Sequence, residues 1–431
     1  MKSKTARWLL IALLGLGCLG GLALYSLNHL DEGAQQAASR QESSASLVQR
    51  GEYLARVGNC MGCHTARGGA PYAGGRAIPT PFGSVFAPNL TPDADTGLGR
   101  WNEAQFWAAL HNGRAPDGRL YTPAFPFSNY SLLTREDAKA LFAYLHSLPA
   151  VAQPNRAHEL RFPYNTQAAM AVWRALYFRP AVYNPEPQQS AEWNRGAYLS
   201  QGLGHCNACH ATRNALGATS GPNDFSGGML EGLGWYAPSL HAAEEGSVAH
   251  WDKQALTQWL KTGLNAHSSA LGPMAEVIQG STQHLSQEDL NAMATYLQSL
   301  PQHPAPGAKA QQRPELKLRE IGEALYGEHC ASCHGAQGQG VAGAYPSLLQ
   351  NRTVLMSNPA NLLRIIQRGG FAPSTADNPR PFGMPPFGGV LDDTQQAALA
   401  SFVRNAWGNK PHGEADVRPV DVLRLKTRRV D

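Results

Sequence analysis

Cysteine outside one repeated pattern is almost absent from this chain: of its seven cysteines, six fall in three copies of Cys-x-x-Cys-His and only Cys18 is left over. With those six committed no disulfide framework is possible, so an oxidising compartment has to be inferred from something else. Charge of one sign is not in excess either: the 16% Asp, Glu, Lys and Arg is ordinary for a globular protein, and the net +4 is too small to argue for a nucleic-acid partner. No Gly-x-Gly-x-x-Gly stands in a strand-turn-helix context and no nucleophile triad pattern is present, so the chain offers no dinucleotide or hydrolase site of its own. Strand-like alternation is hardly found, which points to an all-α protein. What is plentiful is Gly (44) and Pro (30), as loop-rich domains require, and 431 residues leave room for two to four of them.

The three motifs are Cys60-Met61-Gly62-Cys63-His64, Cys206-Asn207-Ala208-Cys209-His210 and Cys330-Ala331-Ser332-Cys333-His334. They read as three covalently attached c-type haems. In each, the two sulfurs add to haem vinyl groups as thioethers, and the adjacent His64, His210 or His334 is set under the iron as its proximal ligand. A zinc site would want ligand pairs converging from separate knuckles, and a thiol redox site a strand before a single Cys-x-x-Cys; neither context is found.

At the N-terminus Lys2, Lys4 and Arg7 precede an uncharged stretch from Trp8 to Leu27, followed by Asp31 and Glu32. This is a membrane-targeting segment, 1–30, whose length suits a spanning helix better than a signal h-region. No clear small-x-small cleavage site follows, which favours a retained anchor over a cleaved signal peptide. The remainder then crosses the cytoplasmic membrane and faces the periplasm.

One unit is written three times. Each motif is preceded by Gly-x-x-Leu (Gly51, Gly196, Gly322) and followed by Pro-x-Leu (Pro88, Pro238, Pro346). A ligating imidazole donates its second N–H to a carbonyl that fixes the ring, and these prolines stand where that carbonyl is wanted. A middle helix recurs without gaps over 101–113, 251–263 and 357–369, and a last helix opens at Thr134, Ser286 and an aspartate at 392–393. Tyr144, Tyr296 and Phe402 occupy equivalent places on that last helix, where the small glycines let them approach. The divisions are 47–148, 191–300 and 318–407, with a connecting segment at 149–190 containing a helix over 166–178, a linker at 301–317 and a basic tail at 408–431. Arg418, Arg424, Lys426, Arg428 and Arg429 in that tail read as a solvated end or as a contact for a partner or lipid headgroups.

A thioether on the far face of the iron marks an electron carrier and raises its potential. The second unit offers Met274 in Gly272-Pro273-Met274, and the third Met384 in Gly383-Met384-Pro385-Pro386. The first breaks the rule with Pro123-Ala124-Phe125-Pro126, because phenylalanine cannot ligate iron. Its iron is either ligated from elsewhere, with Met170 the preferred candidate ahead of His111, His146 and His158, or five-coordinate.

The chain resembles the three-haem cytochrome c subunits of membrane-bound bacterial dehydrogenases that oxidise alcohols, aldehydes, sugar acids or N-heterocycles. The resemblance is carried by Pro81-Phe82-Gly83 with Asn89-Leu90-Thr91-Pro92-Asp93, by the run Gln189 to Leu199, by Gly272-Pro273-Met274-Ala275-Glu276-Val277 and by Arg404-Asn405-Ala406-Trp407-Gly408. It implies three tandem class I cytochrome c domains and an electron relay. A separate quinoprotein, flavoprotein or molybdenum subunit would supply electrons, and ubiquinone or another acceptor at the membrane would take them. Alcohol-oxidising members of the family carry methionine where this chain has Phe125, so ligation at the first site does not carry over. The competing readings are a free-standing anchored carrier to a terminal oxidase, and a haem enzyme or sensor built on a five-coordinate first site.

Overall fold

The computed structural model describes residues 2–29, 44–265, 268–303, 316–414 and 416–427. Most of the expected linker at 301–317, together with Arg428 and Arg429, lies outside them.

Helix α1 (Lys2–Asn28) ends against the first unit. Asn28 donates to Ala171 O at 3.0 Å and accepts from Arg174 Nε at 3.0 Å, and Arg114 donates to the Asn28 carbonyl at 2.6 Å. Among the described residues, which leave out most α1 side chains, no helix is long and apolar enough to cross a membrane.

The first unit runs α2 (Ser44–Val57), an attachment turn at Cys60–Cys63, the hairpin β1 (Ala77–Thr80) and β2 (Gly83–Phe86), α3 (Glu103–Asn112) and α4 (Arg135–Ser147). Asn102 and Gln105 form a capping box on α3, and Thr134 caps α4. The connecting segment wraps this unit: β3 (Glu159–Leu160) adds to β2, and α5 (Gln167–Tyr177), capped by Thr166, packs beside α1.

The second unit runs α6 (Ala191–Ala197), a π turn at Tyr198–Leu203, an attachment turn at Asn207–His210, the hairpin β4 (Gly228–Leu230) and β5 (Trp235–Ala237), α7 (Lys253–Thr262), α8 (Pro273–Gly280) and α9 (Gln287–Gln298). The π turn has a simple cause. Cys60 follows Gly51 by nine positions and Cys206 follows Gly196 by ten, and the helix absorbs the extra residue as a bulge.

The third unit runs α10 (Leu316–His329), an attachment turn at Ala331–His334, α11 (Ala360–Arg368), β6 (Gly370–Phe371), β7 (Gly383–Met384) and α12 (Asp393–Asn405). The tail differs from a solvated end. Its helix α13 (Pro419–Thr427) folds back on α11 and α12, burying Val417, Val422 and Leu425, while Arg418 and Arg424 pair with Asp421.

The molecule is mainly helical, with short antiparallel ribbons that the sequence pattern did not announce. These are too brief to alternate visibly. In every unit the first and last helices cross at the glycine. A Cβ on Gly51 would lie 1.9 Å from Ala140 O, one on Gly196 1.9 Å from Ala292 O, and one on Gly322 2.3 Å from Ala398 O, with Tyr144, Tyr296 and Phe402 beside them. Only hydrogen fits, so the backbones meet there.

The cores do not divide as the repeats do. One continuous cluster runs from Leu54 through Leu133 and Leu199 to Leu300, joining the first and second units, whereas the third has its own from Tyr326 to Leu425. The third unit joins the second through polar contacts: Arg364, 1% exposed, donates to Gly234 O at 2.9 Å, Asn361 exchanges bonds with Tyr236, and Arg352 stacks on Trp251.

Candidate functional site

Each attachment turn is a single turn of helix. His64 N donates to Cys60 O at 2.9 Å, His210 N to Cys206 O at 3.0 Å and His334 N to Cys330 O at 2.9 Å. An i to i+4 closure puts the first cysteine and the histidine on one face, with the second cysteine at i+3 beside them. The residues before the first two turns, Asn59 and His205, sit at φ 47° and 38° and swing the chain out of the preceding helix.

The proline carbonyls stand where the repeat requires. Nδ1 of His64 is 2.8 Å from Pro88 O, that of His210 2.8 Å from Pro238 O and that of His334 3.0 Å from Pro346 O. A carbonyl only accepts, so Nδ1 carries the proton and Nε2 presents a lone pair. Burial lowers the pKa of all three imidazoles, partly offset by those carbonyls, and so favours the neutral form a metal ligand needs.

Burial, and then the neighbouring thiol, pushes Cys60 and Cys206 up to about 12 and Cys330 up to about 11; burial also raises Cys63 and Cys209. Zinc-binding or disulfide-exchanging cysteines need the opposite shift. Among the described residues no three His, Cys, Asp or Glu side chains converge to hold a metal ion. The donor set at each turn is thus two thiols and one carbonyl-backed imidazole, which suits a haem held by thioethers and a histidine ligand.

Met274 is the second residue of α8, two after Gly272, which is at φ 54° against the Trp235 ring. Met384 lies on β7 and packs on the core of the third unit. Phe125 is ringed by Tyr121 and Tyr130, with centroids at 5.5 and 5.3 Å. Tyr130 is buried in the core against which Cys60 packs, and burial raises its pKa well above the ordinary phenol value. Met170 is buried on α5, outside the core cluster that holds Cys60, Phe125 and Tyr130. His111 stacks on Trp107 with its Nδ1 2.8 Å from Ser131 O, His146 packs on Phe142, and His158 Nδ1 accepts from Phe86 N at 3.2 Å. Trp107 and Phe142, which His111 and His146 touch, belong to the core that also holds Cys60 and Tyr130.

The first two sites touch. α8, which carries Met274, packs on the Cys60–Cys63 turn, with Gly280 against Asn59. Arg76 donates to Gly62 O at 2.5 Å and to Glu276 at 2.7 Å, and Ser281 Oγ donates to Val57 O at 2.9 Å. Sequence reasoning missed these contacts because they join units rather than residues within one unit.

The cytochrome c family description matches residues 48–149 and 320–407. A nicotinate dehydrogenase subunit of Pseudomonas putida is 40% identical over 376 residues, which is 85% of this chain but only 31% of that protein's length. The cytochrome c subunit of alcohol dehydrogenase (quinone) from Komagataeibacter europaeus is 35% identical over 407 residues, 90% of this chain and 86% of the relative. The gluconate 2-dehydrogenase cytochrome c subunit of Pantoea cypripedii is 35% identical over 408 residues, 90% and 92% of the two.

Proposed function

Because the chain belongs to the cytochrome c subunits of bacterial dehydrogenases, we propose that it is an electron relay with three haem c sites, set between a catalytic subunit and ubiquinone or another respiratory acceptor. The observation that carries this reading is the histidine-to-proline-carbonyl bond, made three times at 2.8–3.0 Å with the same spacing of thiols. When bound, each haem supplies an iron that takes up and releases one electron. Cys60 and Cys63, Cys206 and Cys209, and Cys330 and Cys333 hold the three groups as thioethers. His64, His210 and His334 would each supply the iron with an imidazole, and Met274 and Met384 would supply a thioether at the second and third sites.

Relatives named for nicotinate, alcohol and gluconate oxidation align along most of this chain. A relay shared by such different chemistries leaves substrate choice to the catalytic partner, whether quinoprotein, flavoprotein or molybdenum type. The uncharged stretch Trp8–Leu27 supports a retained anchor in the cytoplasmic membrane, with the three units on the periplasmic side.

A second reading is favoured by one observation: Phe125 stands among aromatic rings where the other units carry methionine, and Met170 is outside that cluster. A five-coordinate first site would bind small molecules. Carbon monoxide added to the dithionite-reduced chain separates the two. No shift in the spectrum supports a pure relay, and a shift in one site of three supports an open first site.

A further inference from the structure

The segment that follows Phe125 has no methionine. It is the short helix Phe127–Tyr130, set largely inside the protein, with Phe127 at 0% and Asn129 at 4% exposure. Its buried amide does not serve its own unit. Asn129 Nδ2 donates to Gln201 O at 2.5 Å and to Asn207 Oδ1 at 2.6 Å, and Asn207 lies between Cys206 and Cys209 in the second attachment turn. Asn207 passes the contact on, donating to Gly221 O at 2.8 Å. Next to Asn129, the Tyr130 ring meets the His205 ring edge-on at 5.6 Å, immediately before Cys206, and Tyr130 belongs to the core against which Cys60 packs.

We propose that Asn129 of the first unit is a positioning residue for the second site: the Phe125–Tyr130 segment fixes the Cys206–His210 turn through Asn207 and His205. A buried amide donating two short bonds holds a turn more narrowly than packing alone, because any displacement strands a buried donor. The orientation of that turn sets the orientation of His210, and with it the ligand field at the second site. The inference rests on the haem reading of that site.

The test uses the full chain with its haems attached. Wild type, Asn129→Ala and Asn129→Asp are compared by haem count and by potentiometric titration followed by magnetic circular dichroism, with the second-site signal assigned through Met274→His. The aspartate keeps the shape and removes both donors. The result expected is a shifted potential at the second site, or loss of that haem alone, with the third site unmoved. Three unchanged potentials in both variants overturn the proposal, as does a wild-type chain without haem at Cys206–His210, which also overturns the reading beneath it. If Asn129→Ala does not fold, Asn129→Ser, shorter but still a donor, is read in its place, and a wild-type potential at the second site with a shift elsewhere contradicts the assignment.

Discussion

Tyr53 in the first unit donates to Asp289 in the second at 2.5 Å, and Tyr198 in the second returns the same bond to Asp137 in the first at 2.5 Å. Each aspartate also takes an arginine of its own unit, three places before that unit's tyrosine: Arg50 on Asp137 at 2.5 Å and Arg195 on Asp289 at 2.8 Å. The two units are therefore joined as a pseudo-two-fold pair, with residue i meeting j and j meeting i. The third unit has Ile321, Ala324 and Gln395 at the corresponding places and takes no part.

Asp289→Ala leaves Arg195 and the Tyr53 hydroxyl without their acceptor and is expected to cost about 2 kcal/mol, within the range for hydrogen bonds to charged groups. Arg195 is 38% exposed, so the larger cost of stranding a wholly buried charge is not reached. Because the first two units share one core and the third has its own, calorimetry should show the loss in one transition only. An equal fall in both transitions would refute the division.

The pair should also weaken in acid. Burial alone would raise Asp289, but donation from Arg195 and Tyr53 outweighs it and holds the carboxyl below the usual range. A depressed folded-state value means that the stabilisation is whole above the unfolded carboxylate pKa of about 3.9 and is lost as pH falls through the folded value. Melting temperature against pH should therefore drop below about pH 4 for the paired units. The drop should be smaller in Asp289→Asn; an identical curve for that variant would remove Asp289 from the explanation.

Two glycine substitutions separate crossing points from ordinary helix. Gly51→Ala puts a methyl 1.9 Å from a backbone oxygen and is expected to destabilise by about 3 kcal/mol. Gly327→Ala, on the exposed side of α10 with nothing within 4 Å, should stabilise by up to about 1 kcal/mol through helix propensity. Chemical denaturation of both variants checks the contrast, and similar losses would contradict the close approach.

Met384→Leu removes the proposed thioether from the third site. It should lower that site's potential, abolish one methionine-to-iron charge-transfer band and let the reduced protein bind one more equivalent of carbon monoxide than wild type. An unchanged band would mean that Met384 is core and the ligand lies elsewhere.

Much of this was legible along the chain. The capped helices at Asn102, Thr134, Ser286 and Asp392, the connecting helix after Thr166, and the carbonyls of Pro88, Pro238 and Pro346 all follow from local rules that a repeat makes visible three times. What joins the units was not, because a tyrosine and an aspartate 236 positions apart carry no periodicity. One signal was present: Arg-Gly-x-Tyr at 50–53 and 195–198, with an aspartate on the last helix of the same two units and a glutamine at the matching place in the third. The extra residue before Cys206 is likewise the origin of the π turn, and Val417, Val422 and Leu425, spaced among the basic residues of the tail, are what return it to the core.

The measurement closest to the central claim is the haem content of the purified full-length chain, by pyridine haemochrome against polypeptide concentration and by intact mass. The account predicts three haems per chain in wild type and two when either cysteine pair at Cys206/Cys209 or Cys330/Cys333 is replaced by alanine. Two haems in the wild type, or a count that the Cys206/Cys209 replacement leaves unchanged, would contradict it.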